Sequence, residues 1–82
     1  MYRKVDEEID TLALFEGNLI RPLRFRWKGT VYHIKEITSQ WQSRSGILRL
    51  RHFTALDSST NCYHLLFNPH NCRWRLSKIW QD

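Results

Sequence analysis

Residues Arg24-Phe25-Arg26-Trp27-Lys28 alternate strictly between cation and aromatic, and Cys72-Arg73-Trp74-Arg75-Leu76 repeats the pattern. Successive side chains of a strand point to opposite faces, so a period of two predicts half-buried β-strands. Two consequences follow. The apolar face has to be covered, and the other face gathers arginine and lysine into a sheet-wide basic patch.

The chain has 82 residues, enough for one domain. We take 1–82 as a single β domain with 1–6 as a loose N-terminal start. A domain this small buries only about 60% of the surface its unfolded chain exposes, so each core residue must be large. Four Trp, three Tyr and four Phe meet that need.

Glu8 to Leu14 fits a strand or one short helix, and the β-rich remainder favours strand. Glu16-Gly17-Asn18 signals a turn. Pro22 lacks an N–H and belongs at a strand start or edge. Leu23–Trp27 and Thr30–Ile37 flank Lys28-Gly29, a two-residue hairpin turn that places Phe25 opposite Tyr32 and Arg24 opposite His33. Ile34 and Ile37 are apolar at odd spacing, which predicts a β-bulge between them. Thr38–Gly46 is polar apart from Trp41, and Ser43-Arg44-Ser45-Gly46 reads as a hairpin tip. Ile47–Ala55 then forms a strand with Leu48 and Leu50 inward and Arg49 and Arg51 outward. Asp57–Asn61 is a turn cluster. Closing Asn68–Asn71 as a four-residue turn pairs Phe67 with Cys72, Leu65 with Trp74 and Tyr63 with Leu76.

These elements predict an all-β fold: a single small curled antiparallel sheet, or a partly open SH3-like or OB-like barrel, of five or six strands in up-and-down order. A flat sheet would leave its apolar face wet unless two chains packed together. Monomer and homodimer both stay open.

Lys plus Arg is 13 and Asp plus Glu is 8, a net charge of +5. The acids concentrate early, at Asp6, Glu7, Glu8 and Asp10. Between Leu19 and Ile79 only Glu36 and Asp57 are acidic. That asymmetry favours a polyanionic partner. No apolar run is long enough to span a bilayer, and the first residues lack a signal-peptide core. A cytoplasmic protein with reduced thiols is expected.

The run Arg21-Pro22-x-x-Phe25-x-Trp27-x-Gly29-x-x-Tyr32-x-Ile34-x-x-Ile37-x-x-x-Trp41 resembles the opening of a small bacterial family of unknown function. Val5-Asp6-Glu7-x-Ile9 is similar to the family's start. Tyr63-His64-Leu65, Trp74-Arg75-Leu76 and Lys78-Ile79-Trp80 resemble its closing hairpin. Trp41 departs from the pattern, because the further Trp pair seen in many relatives does not follow it. Some members are encoded beside accessory subunits of error-prone DNA polymerases, so the resemblance implies a role in DNA transactions, such as repair. It supplies no catalytic residues.

The expected site is a nucleic-acid-binding face made of Arg24, Arg26, Lys28, Arg49, Arg51, Arg73 and Arg75, with Trp41 stacking a base. Guanidinium forks give paired, charge-assisted hydrogen bonds to phosphate. The plainer reading is a solvated face whose arginine stems cover apolar surface. Phe25, Trp27, Tyr32, Tyr63, Phe67 and Trp74 fall in the core phase and read as packing. Trp41 and Trp80 stand outside it and suit a protein partner docking on a strand edge. Cys62-x-His64 and His70-x-Cys72 imitate a zinc set, but the expected hairpin separates the sulfurs by about 16 Å at roughly 3.3 Å per residue. No metal, other cofactor or disulfide is expected, and Cys72 reads as buried. Phosphate loops, nucleophile elbows and dinucleotide turns are missing from the sequence, so the expectation is a binding module rather than an enzyme.

Overall fold

The computed structural model describes residues Met1–Gln81. They form seven strands: β1 Tyr2–Glu16, β2 Leu19–Trp27, β3 Thr30–His33, β4 Glu36–Ser45, β5 Leu48–Leu56, β6 Cys62–Asn68 and β7 Arg73–Trp80. All pair antiparallel in one sheet of order β3-β2-β1-β7-β6-β5-β4. Every sequence neighbour is a sheet neighbour except β3 and β4, which lie at the two ends. Yet only Ile34 and Lys35 separate those two strands. The sheet therefore coils until its ends meet at this link. The Ile34 N–H still donates to Leu23 of β2, and the Lys35 N–H already donates to Leu56 of β5. The result is a single curled sheet, not closed into a barrel.

The sheet is curled as expected but has seven strands rather than five or six. The count changes at β4, Glu36–Ser45, a stretch that reads in sequence as polar with a hairpin tip. Residues 1–6 are not a loose start, because Tyr2, Arg3 and Lys4 pair with Trp80, Ile79 and Lys78. β1 is long because it serves two neighbours. Its first half pairs with β7, and from Asp10 it pairs with β2. A positive φ at Asp6 and a register shift between Lys4 and Glu7 bend it.

The Lys28-Gly29 turn forms as the residues dictate. Both have positive φ, the primed-turn geometry that matches strand twist, and Phe25 lies opposite Tyr32. The expected bulge between Ile34 and Ile37 is instead the corner where the chain changes sides of the sheet. A register shift does occur, between Ile37 and Ser39. The β6–β7 turn has the expected four residues but lies one residue later, at Pro69–Cys72. Asn68 and Asn71 side chains accept from the His70 and Arg73 N–H groups, and Cys72 takes a positive φ. Phe67 thus faces Trp74, not Cys72, and Cys72 is exposed. The register moves by two residues, so Leu65, Phe67, Trp74 and Leu76 keep their expected face, and a further shift between His64 and Leu65 brings Ile79 inside.

The inner face carries the core: Ile9, Phe25, Trp27, Phe53, Ala55, Tyr63, Leu65, Phe67, Trp74, Leu76 and Ile79 are among its buried members. Its rings meet at angles at Phe25–Tyr63 (5.3 Å, 73°) and Phe67–Trp74 (4.8 Å, 38°), while Phe25 stacks on Tyr32 (5.1 Å, 16°). The Trp27 indole N–H donates to Glu7, which satisfies the polar edge of a buried ring.

Candidate nucleic-acid interface

The residues of the expected basic face divide between two surfaces. Arg24, Arg26, Arg73 and Arg75 alternate with core residues and lie on the outer face. Asp6, Glu8 and Asp10 of β1 lie there too, with the same period of two. Arg26 pairs with Asp10 at 3.0 Å, Arg73 with Glu8 at 3.0 Å and Arg75 with Asp6 at 3.2 Å. Three of the four outer arginines are thus neutralised by the acidic start of the chain. Lys28 is a turn residue whose ammonium sits 5.0 Å from the Trp27 ring centroid.

Arg49 and Arg51 lie on the inner face, the reverse of the expected phase. Phe53 and Ala55 are fully buried, so the core face of β5 runs Arg49, Arg51, Phe53, Ala55. Register agrees: Arg51 is the cross-strand partner of buried Phe67. Leu48 and Leu50 are on the outer face, where they line a shallow groove with Leu66, Arg73 and Arg75. Two leucines set the wrong phase in the sequence because half-buried aliphatics also serve an outer face.

Arg44, which the sequence reading did not select, faces Arg49, and Gln42 faces Arg51. The inner side of the β4–β5 hairpin therefore continues the core surface outwards as Arg51, Arg49 and Arg44. None of the three belongs to an ion pair among the described residues. At the same open end Phe15 lies 58% exposed, its ring 5.6 Å from Phe67. Its register opposite buried Ile20 puts it on the inner face. Arginines without carboxylates beside an accessible ring are the elements of a single-strand groove. The signal for Arg44 was present in the sequence, since Phe53 fixes the phase of β5 and hairpin pairing carries it to β4.

Trp41 is in strand β4 rather than a loop and lies on the outer face, 44% exposed. It stacks on His52 at 5.0 Å and 8°. Ser43 Oγ and His52 Nε2 are 2.7 Å apart, and His52 Nδ1 and His64 Nε2 are 2.9 Å apart, so a hydrogen-bonded chain crosses three strands. Burial lowers the pKa of both imidazoles. For His64 the neighbouring His52 and Lys78 add to it, bringing the value to about 4. A serine–histidine–histidine run without a carboxylate has nothing to stabilise an imidazolium, so it favours packing over proton relay. Cys62 and Cys72 lie at opposite ends of the β6–β7 hairpin, and no group of three or more metal-ligating side chains converges among the described residues.

The low His64 pKa has a measurable consequence. Between pH 6.5 and 4 the unfolded chain binds a proton that the folded chain refuses, so stability present at neutral pH is lost on acidification. The expected loss is about 1–2 kcal/mol, allowing for solvent screening of a half-exposed ring. Urea unfolding at pH 7 and pH 4.5 measures it, and His64→Gln should flatten the difference. An unchanged slope in that variant would place the titration elsewhere.

Comparison with family models, with curated proteins and with solved structures gives no match to this chain.

Proposed function

We propose that this chain is a non-enzymatic module that binds nucleic acid, DNA or RNA, through the inner side of the β4–β5 hairpin. The observation that carries the reading is the run Arg44, Arg49 and Arg51, free of carboxylate partners and continuous with the aromatic inner face. Phosphates meet these arginines, and Phe15 offers its face to a base. Trp41 lies on the opposite face, occupied by the histidines, and is not part of this groove. The net charge of +5 and the resemblance to a family encoded near DNA polymerase accessory subunits support the same direction.

The test is anisotropy of labelled single- and double-stranded DNA and RNA at two salt concentrations. On a single strand each neutralised phosphate contributes a salt slope of about 0.7, so three give about 2, and a fourfold rise in salt weakens binding roughly 20-fold. Arg44→Gln/Arg49→Gln/Arg51→Gln should remove most of the affinity and most of that slope. Arg26→Gln/Arg73→Gln/Arg75→Gln should change little, since those cations are already paired. The reverse ranking would return the interface to the outer face.

A second reading is favoured by Leu12, Leu14, Leu19 and Val31, half exposed together on the outer face of β1, β2 and β3. An apolar surface of that kind suits docking on a larger protein complex, for instance of DNA repair. Such a contact would persist at high salt.

A further inference from the structure

We infer that the outer edge of β4 pairs with the same edge of a second copy of this chain. β4 ends the sheet and is ten residues long. Ser45 and Leu48 flank the two-residue turn Gly46-Ile47, so the hydrogen-bonded pairs with β5 fall at Ser45, Ser43 and Trp41. The N–H and C=O groups of Gln40, Gln42 and Arg44 therefore point away from β5 into solvent. Edges are usually blunted by shortness, proline, lysine or a bulge. From Ser39 to Ser45 this edge has no proline and no lysine, and the register shift comes before it.

The stretch is self-complementary. With a two-fold axis at Gln42, the Gln42 backbones of the two copies exchange hydrogen bonds with each other. Gln40 of each copy meets Arg44 of the other, and Trp41 meets Ser43. All three outward-pointing residues are then satisfied, in about six backbone hydrogen bonds. No like charges meet, because the one charged side chain in the stretch, Arg44, faces an amide whose oxygen accepts. Inner-face residues meet inner-face residues, so the two sheets run on as one surface. The other end strand is a poorer template. The Lys28-Gly29 turn and the Ile34–Leu23 hydrogen bond leave only Val31 and His33 of β3 pointing outwards.

The pairing joins Arg44, Arg49 and Arg51 of both copies on one inner face. That consequence rests on the nucleic-acid reading, whereas the pairing itself does not.

Sedimentation equilibrium from micromolar to millimolar protein, without nucleic acid, tests the pairing. The mass should rise from 10.0 kDa towards twice that value. Trp41 emission should shift to the blue over the same range as Ser43 of the second copy covers its ring. Gln42→Pro deletes an outward N–H that β5 does not use, so it should keep the fold and hold the chain monomeric. Gln42→Lys, which sets two ammonium groups against each other at the axis, should do the same and serves if the proline variant misfolds. A parent chain that stays monomeric at millimolar concentration would overturn the pairing, as would dimers that survive in a folded Gln42 variant. Dimers abolished by these variants, in a protein that binds no nucleic acid, would uphold the pairing and sink the binding role.

Discussion

Phe53→Ala is expected to lower the unfolding free energy by about 3–5 kcal/mol. Phe53 is fully buried in β5, with its ring centroid 5.6 Å from that of Trp74. Truncation removes the transfer free energy of an aromatic ring and leaves a cavity that neighbouring strands, pinned by their ladders, cannot close. At about 0.05–0.15 kcal/mol per residue, a chain of this length holds roughly 4–12 kcal/mol in total. The variant would thus lose about a quarter or more of the fold's stability. Urea unfolding followed by tryptophan fluorescence measures it. A loss below 1 kcal/mol would mean that Phe53 is not at the packed centre of the sheet. The effect reaches the proposed binding face too, because burial of Phe53 is what turns Arg49 and Arg51 inwards.

Asp57→Ala should cost about 2–4 kcal/mol, a large penalty for a loop substitution. One carboxylate organises the whole β5–β6 connection. It accepts from the Ser59 N–H at 2.9 Å, the Asn61 N–H at 3.0 Å, the Asn61 side chain at 3.2 Å and the Tyr63 hydroxyl at 2.7 Å. Desolvation pushes the Asp57 pKa up, but the hydrogen bonds from Tyr63, Asn61 and Ser59 together outweigh it and hold the carboxyl below its ordinary value. The stabilisation is therefore fully present above the ordinary carboxyl pKa and disappears as pH falls through the lower, folded-state value. Burial first, then the Asp57 hydrogen bond and charge, raise the Tyr63 pKa. Removing the carboxylate leaves that hydroxyl unpaired at the edge of the core. Tyr63→Phe, which keeps the ring and the other bonds to Asp57, should cost only about 1 kcal/mol. Equal losses in the two variants would show that the phenol, not the loop, accounts for the stabilisation. Stability curves from pH 7 to pH 3 would separate this contribution from that of His64, which titrates higher.

Where the sequence reading and the structure part, the cause is turn placement and strand phase. Arg24-Phe25-Arg26-Trp27 could be assigned to a half-buried strand from its own alternation, and Lys28-Gly29 to its turn from backbone sterics. Aromatic residues in that phase went inside as expected. A turn expected one residue too early, at Asn68–Asn71, shifts the register by two and leaves Leu65, Phe67, Trp74 and Leu76 on their faces, because two is the period of the strand. It did move Cys72 from the core to the surface. Leu48 and Leu50 misled for the opposite reason. Their phase differs by one residue from that of Phe53 and Ala55, and one residue is enough to turn Arg49 and Arg51 over.

Local residues determined the strand class, the tight turn and the apolar set, since steric limits on the backbone and side-chain alternation act within a few residues. Tertiary structure decided which arginines keep their charge available. Arg73 meets Glu8 from 65 residues away and Arg75 meets Asp6 from 69, because β1 returns to lie beside β7. Arg44, Arg49 and Arg51 lie on the inner side of the β4–β5 hairpin and form no ion pair with an acid of β1 among the described residues. A charge pattern along the chain fixes how many cations there are, but Coulomb energy depends on separation in space, and that is set only when the strands pair and the sheet curls.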